Sequence, residues 1–230
     1  MKIMTFNVQH CYNHMLKEVD YEQLSQAINQ VMPDILGINE IYSEQSIYGD
    51  QVRKIAELTG FKYYYFAEAF EHKNGPYGNA LFTKIPIVNV ENIVIPSPEV
   101  KQNPRGYYEQ RCILIAELAD GKRVIVTHFG LNDDEKNNEL NILRKYLCNK
   151  KTILMGDFNC IPTNPVIATI NEFLYDSFNY SSKISNTWPS DNPEVKIDYI
   201  FLSNDIKVKE SHILDKIISD HLAVVTIIEE

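Results

Sequence analysis

Short apolar runs that stop at polar side chains recur along the chain. Lys2-Ile3-Met4-Thr5-Phe6 runs into Asn7, and Asp34-Ile35-Leu36-Gly37-Ile38 into Asn39 and Glu40. Val124-Ile125-Val126-Thr127 runs into His128, and Thr152-Ile153-Leu154-Met155-Gly156 into Asp157-Phe158-Asn159. Each run has the length of a strand. Lys196 to Leu202 carries Asp198 inside its apolar stretch, and Ser219-Asp220-His221 sits just ahead of the strand-like Leu222 to Ile228. Further strands are predicted at Phe61 to Phe66, Asn79 to Thr83, Ile87 to Ile95, Gln110 to Leu118 and Ile206 to Leu214, with Asp120-Gly121 as a hairpin turn before Lys122 to His128.

Helical spacing appears between these runs. Glu18 to Val31 aligns Leu24, Ala27, Ile28 and Val31 ahead of Pro33, and Gln45 to Leu58 aligns Val52, Ile55 and Leu58 ahead of Gly60. Asp133 to Asn149 has an acidic first turn and turns Leu140, Leu143, Tyr146 and Leu147 inward. Pro165 to Leu174 is a short helix with Asn164 as its cap. Glu68 to Tyr77, Pro96 to Tyr108 and Tyr175 to Glu194 read as loops, the second of them as an active-site loop.

The alternation predicts a layered α/β protein, in which strand ends along one sheet edge line the ligand crevice. Asp157 and Asn159 lie two residues apart, so an extended backbone puts both on one side. A buried carboxylate without partners costs at least about 2 kcal/mol, so these strand ends must find hydrogen bonds or a cation.

Thr5-Phe6-Asn7, Ile38-Asn39-Glu40, Gly78-Asn79-Ala80, Thr127-His128-Phe129-Gly130-Leu131, Gly156-Asp157-Phe158-Asn159, Ile197-Asp198-Tyr199-Ile200 and Ser219-Asp220-His221 resemble the ordered motifs of the endonuclease/exonuclease/phosphatase superfamily. The resemblance spans residues 3 to 221 and is closest to small bacterial members. It implies a deoxyribonuclease-I-like four-layer α/β sandwich: two mixed, mainly antiparallel sheets packed face to face, with helices outside. It also implies metal-dependent cleavage of phosphate esters. Glu40 matches the metal glutamate, with Asn7 supporting it and Asp220 completing the site directly or through water. Magnesium, or manganese, suits such a set, because hard cations take oxygen ligands and magnesium keeps several waters. Asp157 would activate the attacking water, Asn159 would hold water or phosphate, and His221 and His128 would donate to phosphoryl oxygens. Asp198 matches the residue that orients His221, and Glu68 is the candidate partner of His128. Asn79 would support the phosphate pocket. Nucleases of the family that act at abasic sites carry an acidic residue two positions after the motif asparagine, where this chain has Gln9. That leaves a second metal at this corner unsupported.

Arg111, at a strand start, could make a charge-assisted contact to phosphate, and Tyr107, Tyr108 and Trp188 could stack on a base or cover an apolar tail. Motifs spread over 230 residues predict one domain, residues 1–230. The net charge of −9, with no polybasic run, argues against a large nucleic-acid footprint and favours a small phosphodiester or phosphomonoester. A cluster of Lys101, Arg105, Arg111, Lys122 and Arg123 on one rim would instead favour a nuclease on DNA or RNA. A lipid phosphodiesterase would call for an exposed apolar hairpin, and none is legible; an inactive binding module has no need of so complete a polar set. Cys11, Cys112, Cys148 and Cys160 lack paired spacing and read as free thiols in a reducing compartment, not as zinc ligands. The first strand begins at Ile3 and no apolar run reaches ~18 residues, so neither leader nor membrane span is expected and the location reads as cytoplasmic. No protein partner is indicated.

Overall fold

The computed structural model describes residues 1–44, 47–72, 75–103, 106–147, 150–180 and 185–229. Gln45, Pro104, Arg105, Cys148 and Asn149 of the sequence expectations lie outside these residues. The chain runs β1 (Lys2–Asn7), β2 (Tyr12–Asn13), β3 (Glu18–Val19), α1 (Tyr21–Val31), β4 (Ile35–Tyr42), α2 (Gln51–Thr59), β5 (Tyr63–Glu71), β6 (Pro76–Thr83), β7 (Ile87–Ile95), β8 (Arg111–Leu118) and β9 (Arg123–His128). It continues through α3 (Asp133–Leu143), β10 (Thr152–Asp157), α4 (Pro165–Ile170), β11 (Tyr175–Asp176), β12 (Asp198–Leu202), β13 (Val208–Ile213) and β14 (Val224–Ile228).

Two six-stranded sheets form, in the orders β13-β14-β1-β4-β6-β5 and β11-β12-β10-β9-β8-β7. Each has one parallel pair at its centre, β1 with β4 and β9 with β10, flanked by antiparallel neighbours. Alternate residues of the central strands point to opposite faces. Ile3, Ile35, Leu81 and Val224 of the first sheet therefore pack against Leu114, Val126, Ile153 and Met155 of the second. Met4, Phe6, Leu36 and Ile38 face outward under Leu24 and Ile28 of α1 and Val52 and Ile55 of α2. On the other side Ile125, Leu154 and Tyr199 lie under Leu140 and Leu143 of α3 and Val166 and Ile170 of α4. Strands buried on both faces read as unbroken apolar runs, which is why these were legible. The result is the expected four-layer sandwich.

Several boundaries differ from expectation for local reasons. α2 begins at Gln51 because Asp50 caps it, accepting from Arg53 N–H at 3.0 Å, after Gly49 at φ 70°. α3 ends at Leu143, where three-residue turn bonds from Lys145 and Tyr146 replace helical ones. The expected loop Glu68 to Tyr77 is mostly the paired ends of β5 and β6, in which buried Ala67 and Ala69 alternate with exposed Glu68. Small apolar residues hid the two-residue period. Among the described residues no helix is long and apolar enough to cross a membrane.

Gly156 joins the sheet core to the polar strand end. It sits at φ 143°, and a Cβ there would lie 1.9 Å from Thr127 O and 3.2 Å from Asn39 Oδ1. Gly156→Ala must push β10 away from β9, at a cost of at least about 2 kcal/mol. The expected fall in Tm is about 4–8 °C, followed by circular dichroism; an unchanged Tm would contradict the close β9–β10 approach.

Candidate active site

The strand pairing gathers the polar ends. Asn7 lies opposite Asn39 in the first sheet, and Asp157 lies between His128 and Asp198 in the second. Parallel strands bring their C-terminal ends to this edge and antiparallel neighbours bring their starts, which places Arg111 and Asp198 here too. The two sheets are then tied together by Asn39, fully buried, whose Oδ1 accepts from Asp157 N–H at 3.0 Å while its Nδ2 donates to Thr127 O at 2.9 Å and Asn79 Oδ1 at 2.8 Å. Asn79 passes the tie to β8, donating to Cys112 O at 3.0 Å. Its carboxamide is thus occupied beneath the site and braces it, which is compatible with the expected support of a phosphate pocket.

Glu40 sits where the β4–β6 register slips, at φ 59°. A non-glycine residue in this left-handed region costs of order 1–3 kcal/mol, and the bulge turns the carboxylate into the cleft. Asn7 Nδ2 donates to Glu40 Oε1 at 2.9 Å and to Asp157 Oδ2 at 3.0 Å, and Asn7 Oδ1 accepts from Gln9 N–H at 3.1 Å. The amide nitrogen therefore faces the carboxylates. Asn7 thus orients both carboxylates, in keeping with the supporting part expected of it, and its Oδ1 keeps a second lone pair beside the Gln9 bond. Burial, then the Glu40 charge, hold the Tyr77 hydroxyl well above its ordinary range. Burial raises the Glu40 carboxyl above its ordinary range despite the Asn7 bond and the nearby His221.

The two histidines are held in different protonation states. A guanidinium has no lone pair, so Arg111 Nη1, 3.0 Å from His128 Nδ1, must donate to it. The His128 proton is therefore on Nε2, and the 3.3 Å approach of Asn159 Nδ2 to that atom cannot be a second accepted bond. Burial, then the Arg111 and His221 charges, hold His128 well below its ordinary range, hence neutral. His221 Nδ1 instead lies 2.8 Å from Asp198 Oδ2. Burial opposes its charge, but Asp198 and Asp157 outweigh burial and push it up to about 10, so it is an imidazolium.

Asp157 Oδ2 is the hub, 3.5 Å from His128 Nε2 and 3.6 Å from His221 Nε2. Both gaps exceed a direct hydrogen bond and suit a shared oxygen between the groups. Asp157 Oδ1 accepts from Asn159 N–H at 2.9 Å, and Asn159, at φ 47°, donates its Nδ2 to Phe129 O at 2.9 Å. Burial raises Asp157 to about 7, opposed by His221, so this carboxylate can exchange a proton near neutrality. Two clusters could hold a cation, Glu40–His128–Asp157 and Asp157–Asp198–His221. The neutral Nε2–H of His128 and the protonated His221 leave carboxylate oxygens, those of Glu40, Asp157 and Asp198, as the donors in these clusters. Hard oxygen donors of this kind, with Glu40 and Asp157 both desolvated and raised, fit a divalent cation that keeps several waters. Asp220 is half-buried, accepts from Ser219 Oγ at 3.1 Å and acts on Glu40 and His221 only through its charge, which suits contact through water.

Around this centre the sequence expectations hold unevenly. Glu68 is exposed on β5, and its backbone carbonyl accepts from Asn92; the partner of His128 is Arg111, not Glu68. Arg111 is buried, with Glu109 Oε1 at 2.6 Å as its counter-ion. Glu109 and Glu139 were missed. Glu139, buried in α3, accepts from Thr127 Oγ1 at 2.6 Å, and burial pushes it up to about 8. The loop before β8 is strapped to the acidic start of α3: Tyr108 Oη donates to Asp134 at 2.7 Å, Gln102 N–H to Asp134 at 2.9 Å, and Asn132 Nδ2 to Tyr107 O at 2.7 Å. Tyr107 is exposed, its hydroxyl donating to Glu109 at 2.6 Å. Trp188 is half-exposed beside Asp220, since Ser190 N–H bonds Asp220 O and Leu222 N–H bonds Thr187 O, each at 2.8 Å. The β2–β3 hairpin, illegible in the sequence, exposes Met15 and Leu16 while His14 N–H bonds Ile218 O at 2.8 Å.

The sequence pattern of the Endonuclease/Exonuclease/phosphatase family matches residues 4–221. The chain belongs to this family. No curated protein matches it in sequence. Among solved structures, mannosyl-6-phosphatase Bt3783 of Bacteroides thetaiotaomicron VPI-5482 is 17% identical, with each chain covered over 100% and a TM-score of 0.82. An endonuclease/exonuclease/phosphatase family protein of Leptotrichia buccalis C-1013-b is 23% identical, with each chain covered over 100% and a TM-score of 0.72. D. rerio TDP2 complexed with single strand DNA product is 15% identical, covering 100% of this chain and 99% of that one, with a TM-score of 0.70. As a member of the endonuclease/exonuclease/phosphatase family the chain is a hydrolase of the phosphoesterase and nuclease type, and the family generally depends on a divalent metal. The acidic and histidine groups of the site are placed where such an ion could be held.

Proposed function

We propose that the chain hydrolyses a small phosphate monoester or diester by in-line attack of water, with magnesium or manganese held at Glu40. The carrying observation is Asp157 Oδ2, a carboxylate raised to about 7 and placed 3.5–3.6 Å from a neutral and a charged histidine. When bound, the cation would supply positive charge to the phosphoryl and leaving oxygens. The chain does the rest. Asp157 takes the proton of the attacking water, and Asn159 orients that water or the phosphate. The His128 Nε2–H and the His221 imidazolium donate to phosphoryl oxygens as negative charge grows on them. Arg111 fixes the His128 tautomer and adds charge behind it; Asp198 fixes that of His221; Asp220 reaches the cation through water.

Several features support a small substrate. The net charge is −9, and the described basic residues of the expected cluster do not share a rim: Lys122 pairs with Asp120 and Arg123 with Glu117 at the start of β9, roughly 17 Å of strand from His128. Lys101 lies over the Tyr108 ring. Tyr107, exposed and bonded to Glu109, and Trp188, exposed near Asp220, would contact the leaving group. The likeness to a mannosyl-6-phosphatase points the same way. Likeness to TDP2 with its single strand DNA product favours the nuclease as second reading, and the exposed Met15–Leu16 tip favours a lipid ester as third. The cytoplasm suits the free, buried Cys11, Cys112 and Cys160.

The test is hydrolysis of bis-p-nitrophenyl phosphate, p-nitrophenyl phosphate, mannose 6-phosphate, oligonucleotides and phospholipid vesicles, each with magnesium or manganese and with chelator. Chelator-sensitive turnover confined to the small esters is expected; preferential cleavage of oligonucleotide or vesicle would replace this reading. If Asp198 acts through His221, Asp198→Ala and His221→Ala should each lower kcat by about 10²–10³-fold, and together by little more than either alone. Multiplicative losses in a double-mutant cycle would separate the two residues.

A further inference from the structure

The Asn7 and Glu40 strand ends both leave regular geometry just where they reach the site. After Asn7 the chain makes a left-handed turn, with Gln9 at φ 44°, His10 at φ 48° and Cys11 at φ 61°. None is glycine, and successive L-residues in this region are strained. After Glu40, itself at φ 59°, β4 must recover its pairing at Ile41 and Tyr42. One side chain touches both excursions. Gln51, fully buried at the start of α2, donates Nε2 to His10 O at 2.8 Å and accepts from Tyr42 N–H at Oε1, 3.0 Å. Its Nε2 also lies 3.4 Å from Tyr21 Oη, linking the clamp to α1.

We infer that Gln51 is a positioning residue for the cation site, holding the left-handed turn and the Glu40 bulge in register so that Asn7 and Glu40 face the same point. The connection is continuous. Gln51 fixes His10 O; the turn so held presents Gln9 N–H to Asn7 Oδ1; that bond turns Asn7 Nδ2 toward Glu40 and Asp157. On the other side, the Tyr42 bond anchors the backbone two residues beyond Glu40. Gln51 touches neither carboxylate, so it acts through the strands. The inference rests on the reading of Glu40 as the cation's ligand.

The experiment measures manganese binding to the substrate-free protein by electron paramagnetic resonance, alongside Tm. Gln51→Met should raise the manganese dissociation constant by about tenfold, as loss of residues supporting a metal site commonly does, while kcat at saturating metal stays within about threefold of the parent. Leu24→Ala, in the core under α1, should lower Tm without moving manganese affinity. Glycine adopts the left-handed region freely, so adding His10→Gly to Gln51→Met should restore part of the affinity. If Gln51→Met does not fold, Gln51→Asn, which keeps the amide but shortens its reach, should show the same weakened binding. Unchanged manganese affinity in the folded Gln51 variant, or a loss matched by Leu24→Ala at equal Tm, would overturn the inference. Glu40→Gln in the same assay separates the two claims: unchanged binding there would remove the cation reading itself, whereas loss there with normal binding in the Gln51 variant would remove only the role of Gln51.

Discussion

Asp157→Asn is expected to lower kcat by about 10³-fold or more at pH 8 while leaving a cooperatively folded protein, because general base catalysis contributes about 10²–10⁴-fold and Asp157 also contacts the cation site. The parent should have a bell-shaped pH profile. Its acid limb reports Asp157, which burial raises from 3.8 to about 7 in the metal-free site and which must be ionised to take a proton, so rate falls as pH falls, at or below that value once the cation is bound. Its alkaline limb reports His221, raised from 6.5 to about 10, which must be charged to donate, so rate falls as pH rises through about 10. A cation beside Asp157 favours the carboxylate, so added metal moves the acid limb down. In Asp157→Asn the acid limb should vanish. An unaltered profile would remove Asp157 from the proton transfer. The same shifts bear on stability. The folded state holds a proton on Asp157 between about 4 and 7 that the unfolded chain has released, so this group favours folding at low pH and that contribution is lost as pH rises through 7. The His221 contribution is full below 6.5 and is lost as pH rises through about 10.

Glu40→Ala is expected to raise the magnesium concentration for half-maximal activity by about 10²-fold, with turnover at millimolar magnesium nearly abolished. The fold should tolerate the change, since a raised, desolvated carboxylate in a left-handed position is not a source of stability. Activity titrated against magnesium and manganese checks the first point, and thermal unfolding the second. A metal titration matching the parent would place the cation elsewhere.

The two predictions concern residues that were legible from the chain alone, for a physical reason. A carboxylate ending a strand buried on both faces has no structural purpose of its own, so Glu40, Asp157 and Asp198 stood out against their apolar runs. Asn39 carried the same signal and was passed over, because its partner at Asp157 is 118 positions away and no local pattern says that an asparagine will face inward. Gln51 was hidden because the expected helix began at Gln45, which put the true cap, Asp50, inside it. Glu68 was misassigned because a strand of small apolar residues was taken for a loop; the true neighbour of His128 comes from β8, which only the sheet order reveals. The clamp on the loop before β8 was equally out of sight, since Asp134 and Asn132 read as helix-end residues.

The Asn39 brace has one more consequence. Its bonds pass from one sheet to the other, and Asn7, on the first sheet, meets Asp157 on the second. Each sheet could keep every rung of its own ladder and still slide over its neighbour by one residue, about 3.3 Å. Far-ultraviolet spectra would be blind to that slip, and the reacting groups would be out of reach of one another. Turnover in this protein is therefore a strain gauge for the seam between its halves, and should fail under pressure or mild denaturant before either half begins to melt.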